Sequence, residues 1–134
     1  MLPGKSETLP IRDEPDVVLV RRRVGQFGEE LGFTTLSRTK IVTAASELGR
    51  NTLIHGQGGS VRIEVIAATD RPGLRLTFED KGPGIPDIDQ ALSDGFTSGN
   101  GMGLGLGGAK RLSHEFEISS DVGSGTKVSM LRWK

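Results

Sequence analysis

The hydrophobic period of this chain changes sharply at one turn, and that change limits the folds open to it. Before the turn-forming stretch GQGGS (Gly56–Ser60), apolar residues recur every three or four positions. After it they alternate with polar ones, first in VRIEVIA (Val61–Ala67) and again in LRLTFED (Leu74–Asp80). A helix returns to the same face about every 3.6 residues and a strand every two, so two long helices come before this turn and two strands directly after it. Val17, Val20, Val24, Phe27 and Leu31 make one helical stripe, with Asp16 as the expected cap and Gly32 as the stop. Ile41, Ala44, Ala45, Leu48 and Thr52 make a second, on a helix expected from Arg38 to Ile54 behind a Ser37 cap and ended by His55 and Gly56.

The two alternating runs flank RPG (Arg71–Gly73) and predict a hairpin; FEISSD (Phe116–Asp121) and TKVSMLRW (Thr126–Trp133) flank VGSG and predict another. A short strand is expected near Leu9–Arg12, after a loose start over residues 1–8. Brief helices are expected after Pro86 and over AKRLSHEF (Ala109–Phe116). Helices and hairpins without regular βαβ alternation predict an α+β, two-layer sandwich. Its sheet should be mixed, mostly antiparallel and about five strands wide, with the helices on one face. At 134 residues the chain is expected to form one domain, residues 1–134.

Composition removes several functional classes. Lys plus Arg number 17 and Asp plus Glu number 17, so no overall field draws the chain to nucleic acid. One Trp, no Tyr and five Phe make a poor base-stacking surface. Without cysteine there is neither a disulfide framework nor a thiolate metal site. The opening MLPGKSETLP lacks the apolar core of a signal peptide, and no window approaches the ~18 apolar residues of a membrane span. The expectation is a cytoplasmic protein that engages neither nucleic acid nor membrane. Its oligomeric state stays open.

Four short motifs carry chemistry. Glu47 and Asn51 stand four apart on the second helix, one turn above each other on the same face. A carboxylate there can take a proton from an attacking hydroxyl, and an amide oxygen suits Mg²⁺. The same pair also occurs on ordinary solvated helices. Asp80 ends a strand and is followed by Gly82, Gly84 and Ile85; an aspartate there can accept from an exocyclic amine, and the glycines can leave room for a flat ring, though a plain turn reads alike. Six of the ten residues in Gly99–Gly108 are glycine. No G-K-[ST] follows, so this is not a P-loop, and its G-x-G-x-x-G matches are weak evidence alone. Met102, Leu104 and Leu106 alternate with the glycines, which argues against a flexible linker. Gly125 and Thr126 open the last strand, where a hydroxyl could support a purine or simply fill a strand position.

In their order E-L-x-x-N, D-x-G-x-G, glycine run and G-T, these motifs resemble the GHKL (Bergerat-fold) ATPase and kinase family over roughly residues 10–134. The resemblance implies that ATP or ADP binds with Mg²⁺, that Asn51 is the Mg²⁺ ligand and that Glu47 is the general base. It implies that Asp80 binds the adenine amine beside Gly82, Gly84 and Ile85, with Thr126 assisting through water. It also implies that the backbone of Gly101, Met102, Gly103, Leu104, Gly105, Leu106 and Gly107 wraps the phosphates. Lys110 and Arg111 could add charge near the γ-phosphate or be solvated helix surface. Within the family, GPGIPD (Gly82–Asp87), DGFTS (Asp94–Ser98) and GGAKRLSHEFEI are similar to RsbT-like anti-sigma and switch serine/threonine kinases. That branch implies phosphorylation of a small STAS (anti-anti-sigma-like) protein in bacterial stress signalling. The alternatives it leaves are nucleotide-dependent sequestration of a sigma factor and activation of a phosphatase by contact.

Overall fold

The computed structural model describes residues 5–67, 70–92 and 105–134. The chain runs through β1 (Ser6–Ile11), α1 (Glu14–Leu31), α2 (Thr35–Ile54), β2 (Gly59–Ala67) and β3 (Pro72–Asp80). It continues through α3 (Ile88–Leu92), α4 (Gly105–Arg111), β4 (Glu115–Asp121) and β5 (Gly125–Trp133). Residues 6–8, expected within a loose start, are already strand, pairing Ser6 with Glu64 and Thr8 with Arg62.

Both long helices begin earlier than expected, for one reason. Each start offers two capping-type residues three apart, and the first takes the role because its backbone is extended, outside the helix, while its side chain accepts from the N–H three residues on. Asp13, not Asp16, caps α1, accepting from the Asp16 N–H at 3.2 Å. Asp16 sits inside the first turn. Its carboxylate accepts from the Arg12 side chain and backbone, which hold its pKa below the ordinary carboxylate value. Thr34, not Ser37, caps α2 through the Ser37 N–H at 3.1 Å. The Ser37 hydroxyl instead accepts from Arg132 Nε of β5 at 3.0 Å. Gly32 stops α1 in the left-handed region, as expected.

The sheet order is β1-β2-β3-β5-β4, and every adjacent pair is antiparallel. The sheet is therefore antiparallel throughout the described residues, where a mixed one was expected. The last hairpin docks on β3 through its second strand; β4 runs in the same direction as β3, so entry by β5 keeps the pairing antiparallel. The helix expected over Ala109–Phe116 is displaced toward the glycines and ends at Arg111. By His114 the chain is already held to β5: its N–H donates to the Leu131 carbonyl at 2.8 Å, and its Nδ1 accepts from the Trp133 N–H at 2.9 Å. The RPG turn is also shifted, since Pro72 and Gly73 already pair with β2.

Alternate strand residues face the helices. Val61, Ile63, Leu74, Leu76, Phe78 and Met130 meet Val20, Val24, Phe27, Ile41, Ala44 and Leu48 in one buried cluster. The opposite face is charged: Arg62, Glu64, Arg75, Glu79 and Lys127 line a shallow basin of about 430 Å³. One apolar layer thus joins helices and sheet, and Phe78, 2% exposed, lies within it. Phe78→Ala is expected to cost about 3–5 kcal/mol in urea unfolding. A loss below about 1 kcal/mol would place the main helix–sheet contact elsewhere.

Candidate functional site

Three chain segments converge where α2 ends, β3 ends and β5 begins. Asp80, the last residue of β3, turns toward the helix-covered face, as its neighbour Phe78 does two positions earlier. Its Oδ1 accepts from the Gly82 N–H at 2.9 Å and from the Thr126 N–H at 3.2 Å. Its Oδ2 accepts no hydrogen bond from another described residue. Gly56, the second residue after α2, lies directly against this carboxylate; a Cβ there would overlap Asp80 Cγ and Oδ2. A Cβ on Gly82 would stand 2.8 Å from Gly56 Cα. Only glycine at both positions lets the end of α2, the loop after β3 and the Asp80 carboxylate touch.

The loop after Asp80 is fastened to the β4–β5 turn. The Gly123 N–H donates to the Pro83 carbonyl at 2.8 Å, and the Ile85 N–H donates to Ser120 Oγ at 2.8 Å. Gly84 has φ +82°, and a Cβ on it would overlap the Asp121 carbonyl oxygen. The space a side chain would take at Gly82 and Gly84 is therefore filled by the backbone of Gly56 and Asp121. Thr126, register partner of Asp80, has its Oγ1 2.8 Å from Ser120 Oγ.

On α2, Glu47 and Asn51 are half-buried one turn apart. Neither side chain makes a hydrogen bond or ion pair with another described residue. The Asn51 carbonyl accepts from the N–H groups of His55 and Gly56, at 2.9 and 3.2 Å. The backbone of Asn51 thus anchors the turn that carries Gly56 to Asp80, while its side-chain amide stays available. Among the described residues no three His, Asp or Glu cluster to hold a metal unaided. A single amide oxygen fits Mg²⁺, which keeps waters and takes phosphate oxygens as further ligands.

The glycine run divides. Gly101, Met102, Gly103 and Leu104 lie outside the described residues, as do Asp94–Ser98. Gly105, with φ +60°, opens α4, and Leu106 and Gly107 are buried inside its first turn. These three are helix that packs on α2, not open loop. Lys110 and Arg111 stand at the C-terminal end of α4, the helix whose first residues are the last of the glycine run, where a cation complements the helix dipole. The fold gathers Asn51, Asp80, Gly82, Gly84, Ile85 and Thr126 around one junction. Sequence reasoning missed Gly56 and Ser120. Gly56 was readable only as a helix stop, and Ser120 only as an inward strand position.

The chain matches the family model described as histidine kinase-, DNA gyrase B-, and HSP90-like ATPase over residues 36–134. It is 42% identical over 123 residues to the serine/threonine-protein kinase RsbT of Bacillus subtilis, covering 92% of both chains. It is 35% identical over 115 residues to the anti-sigma F factor of Geobacillus stearothermophilus, covering 81% of this chain and 77% of that one. Among solved structures, the RsbU and RsbW domains of a Mycobacterium tuberculosis protein superpose with a TM-score of 0.67 at 22% identity. That match covers 98% of this chain and 33% of the other. The catalytic domain of the histidine kinase ThkA superposes with a TM-score of 0.55 at 19% identity, covering 96% of each. At such identities these two structures show the shared fold alone.

The close packing of Gly56 has a measurable consequence. Gly56→Ala sets a methyl group against the Asp80 carboxylate and is expected to cost about 1–3 kcal/mol of stability. The amide resonances of Gly82 and Thr126 should shift with it. Parent-like stability with unshifted amides would contradict the junction as described.

Proposed function

The chain belongs to the histidine kinase-, DNA gyrase B- and HSP90-like ATPase family, and from that premise we propose that it is an ATP- and Mg²⁺-dependent protein serine/threonine kinase. The observation that carries the reading is the junction at Asp80. A carboxylate tethered through Oδ1 offers Oδ2 to an exocyclic amine, and the Asn51 carbonyl holds the turn whose Gly56 packs against that carboxylate, which supports reading the α2 pair as part of the same site. The likeness to a serine/threonine-protein kinase over 92% of both chains supports phosphoryl transfer as the outcome.

In this reading Asp80 selects the adenine ring, while Gly82, Gly84 and Ile85 hold the wall beside it and Thr126 completes it. The Asn51 amide oxygen is the protein ligand for Mg²⁺, which supplies positive charge to the phosphates. The run Gly101–Gly107 reaches the phosphates, its last residues through the start of α4. Glu47 orients the incoming serine or threonine hydroxyl and accepts its proton. The new bond forms between that oxygen and the γ-phosphorus, the bridging bond to the β-phosphate breaks, and ADP leaves. Phosphoryl transfer depends mostly on positioning and charge, so the base contributes a part of the rate and not all of it.

The substrate we propose is a small STAS-type protein in bacterial stress or sigma-factor signalling, in the cytoplasm. Among the described residues no helix is long and apolar enough to cross a membrane. The likeness to anti-sigma F factors favours a second activity, nucleotide-dependent sequestration of a sigma-type partner by the same domain.

Glu47→Ala should lower single-turnover transfer to a STAS protein by about 10²–10⁴-fold while leaving ATP affinity close to the parent's. Asn51→Ala should lose Mg²⁺-nucleotide affinity as well as turnover. Transfer assays run beside nucleotide titrations separate the two. Parent-rate transfer by Glu47→Ala would remove Glu47 as the base and leave sequestration as the stronger reading.

A further inference from the structure

Three hydrogen-bonding partners converge on Ser120, and their geometry decides where its proton lies. The Ile85 N–H can only donate, and does so to Ser120 Oγ at 2.8 Å. The Gly125 carbonyl can only accept, and lies 3.1 Å from the same oxygen. The Thr126 hydroxyl, 2.8 Å away, can do either. A serine hydroxyl has one hydrogen and two lone pairs. If Ser120 donates to Thr126, the Gly125 contact contains no hydrogen and one bond is lost. If Ser120 donates to Gly125, then Thr126 donates to Ser120, and all three contacts are hydrogen bonds. The second arrangement uses the whole capacity of Ser120, and a part-buried network is held by the pattern that leaves fewest groups unmatched.

The consequence falls on Thr126. Its single hydrogen is spent on Ser120, so toward the junction its Oγ1 presents lone pairs only. Asp80 and Thr126 are register partners on one face of the sheet, and the Thr126 N–H is bonded to Asp80 Oδ1. In the adenine reading the side chains at this end of β3 and β5 would offer the ring two acceptors, Asp80 Oδ2 and Thr126 Oγ1, the second directly where the family resemblance implies a bridging water. We infer that Ser120 is a specificity-determining residue, positioning the Thr126 hydroxyl as an acceptor so that the site takes a 6-amino purine and rejects a 6-oxo purine. This rests on the adenine-nucleotide reading above and adds to it the group that enforces the choice. A 6-amino group brings two hydrogens to two acceptors. A 6-oxo group brings a lone pair against a hydroxyl that cannot turn to meet it, and an unmatched polar contact costs more than a matched one gains.

Ser120 also holds the Ile85 N–H, so its loss could loosen the loop without touching specificity. The test must separate these effects. Affinities for ADP and inosine diphosphate, which differ at the 6-position, are measured by calorimetry for the parent, Ser120→Ala, Thr126→Val and the double variant. The parent should prefer ADP by about tenfold or more. Ser120→Ala frees the Thr126 hydroxyl to rotate and donate, so the preference should shrink by about threefold to tenfold. Ser120→Thr keeps a hydroxyl and should keep the preference. In the Thr126→Val background no rotor remains, so adding Ser120→Ala should leave the ratio unchanged. If Ser120→Ala does not fold, Ser120→Cys, nearly isosteric and a weak hydrogen-bonding group, carries the same prediction. Equal weakening of both nucleotides, or a changed ratio in the Thr126→Val background, overturns the inference and leaves Ser120 a structural residue. A parent that binds neither nucleotide overturns the adenine-nucleotide reading itself.

Discussion

One carboxylate oxygen ties this molecule's site together. Asp80 Oδ1 accepts from the backbone N–H of Gly82, two residues on, and of Thr126, forty-six residues away. The first bond turns the chain out of β3; the second joins that turn to the start of β5. Each is a charge-assisted bond in a part-buried setting, stronger than a bond between neutral groups. With Oδ1 committed, the orientation of Oδ2 is set before any ligand arrives, which is the preorganisation a recognition site needs. Gly56 packs against that carboxylate, so the position of α2, and with it Glu47 and Asn51, is referred to the same group.

The rest of the fold serves this arrangement. The helices are held to the sheet by an apolar layer that includes Leu48 on α2 and Phe78 on β3, each close to a site residue in sequence. Leu48 is flanked by Glu47 and stands three residues before Asn51; Phe78 stands two before Asp80. Burial of the one fixes the reach of the other. The charged face of the sheet takes no part in this. Its basin, lined by Arg62, Arg75, Glu79 and Lys127, is open and mixed in sign, and it lies across the sheet from Asp80.

Local pattern was legible and long-range contact was not. The stripes Val17–Leu31 and Ile41–Thr52 and the alternations Val61–Ala67 and Leu74–Asp80 are properties of neighbouring residues, and they folded as their periods required. Asp80 could be recognised as a strand end followed by a turn. The caps lie one turn before the residues the sequence favours because Asp13 and Asp16, like Thr34 and Ser37, are chemically alike, and only the backbone decides which stands outside the helix. The antiparallel entry of β5 beside β3 depends on chain direction after two short helices, which no local period records. Gly82 and Gly84 are legible as a turn after β3, but the space a side chain would take there is filled by Gly56 and Asp121, partners known only once the chain has folded. Ser120 is legible only as an inward strand position, because its three bonds all go to residues brought near by the hairpin and the loop.

The most direct test of the account is an amide NMR titration with ADP and Mg²⁺. The account predicts the largest shifts at Gly56, Gly82, Ile85 and Thr126, with Arg62, Glu117 and Ser129 on the open face of the sheet unmoved. Shifts confined to that open face, with the Asp80 junction silent, would contradict it.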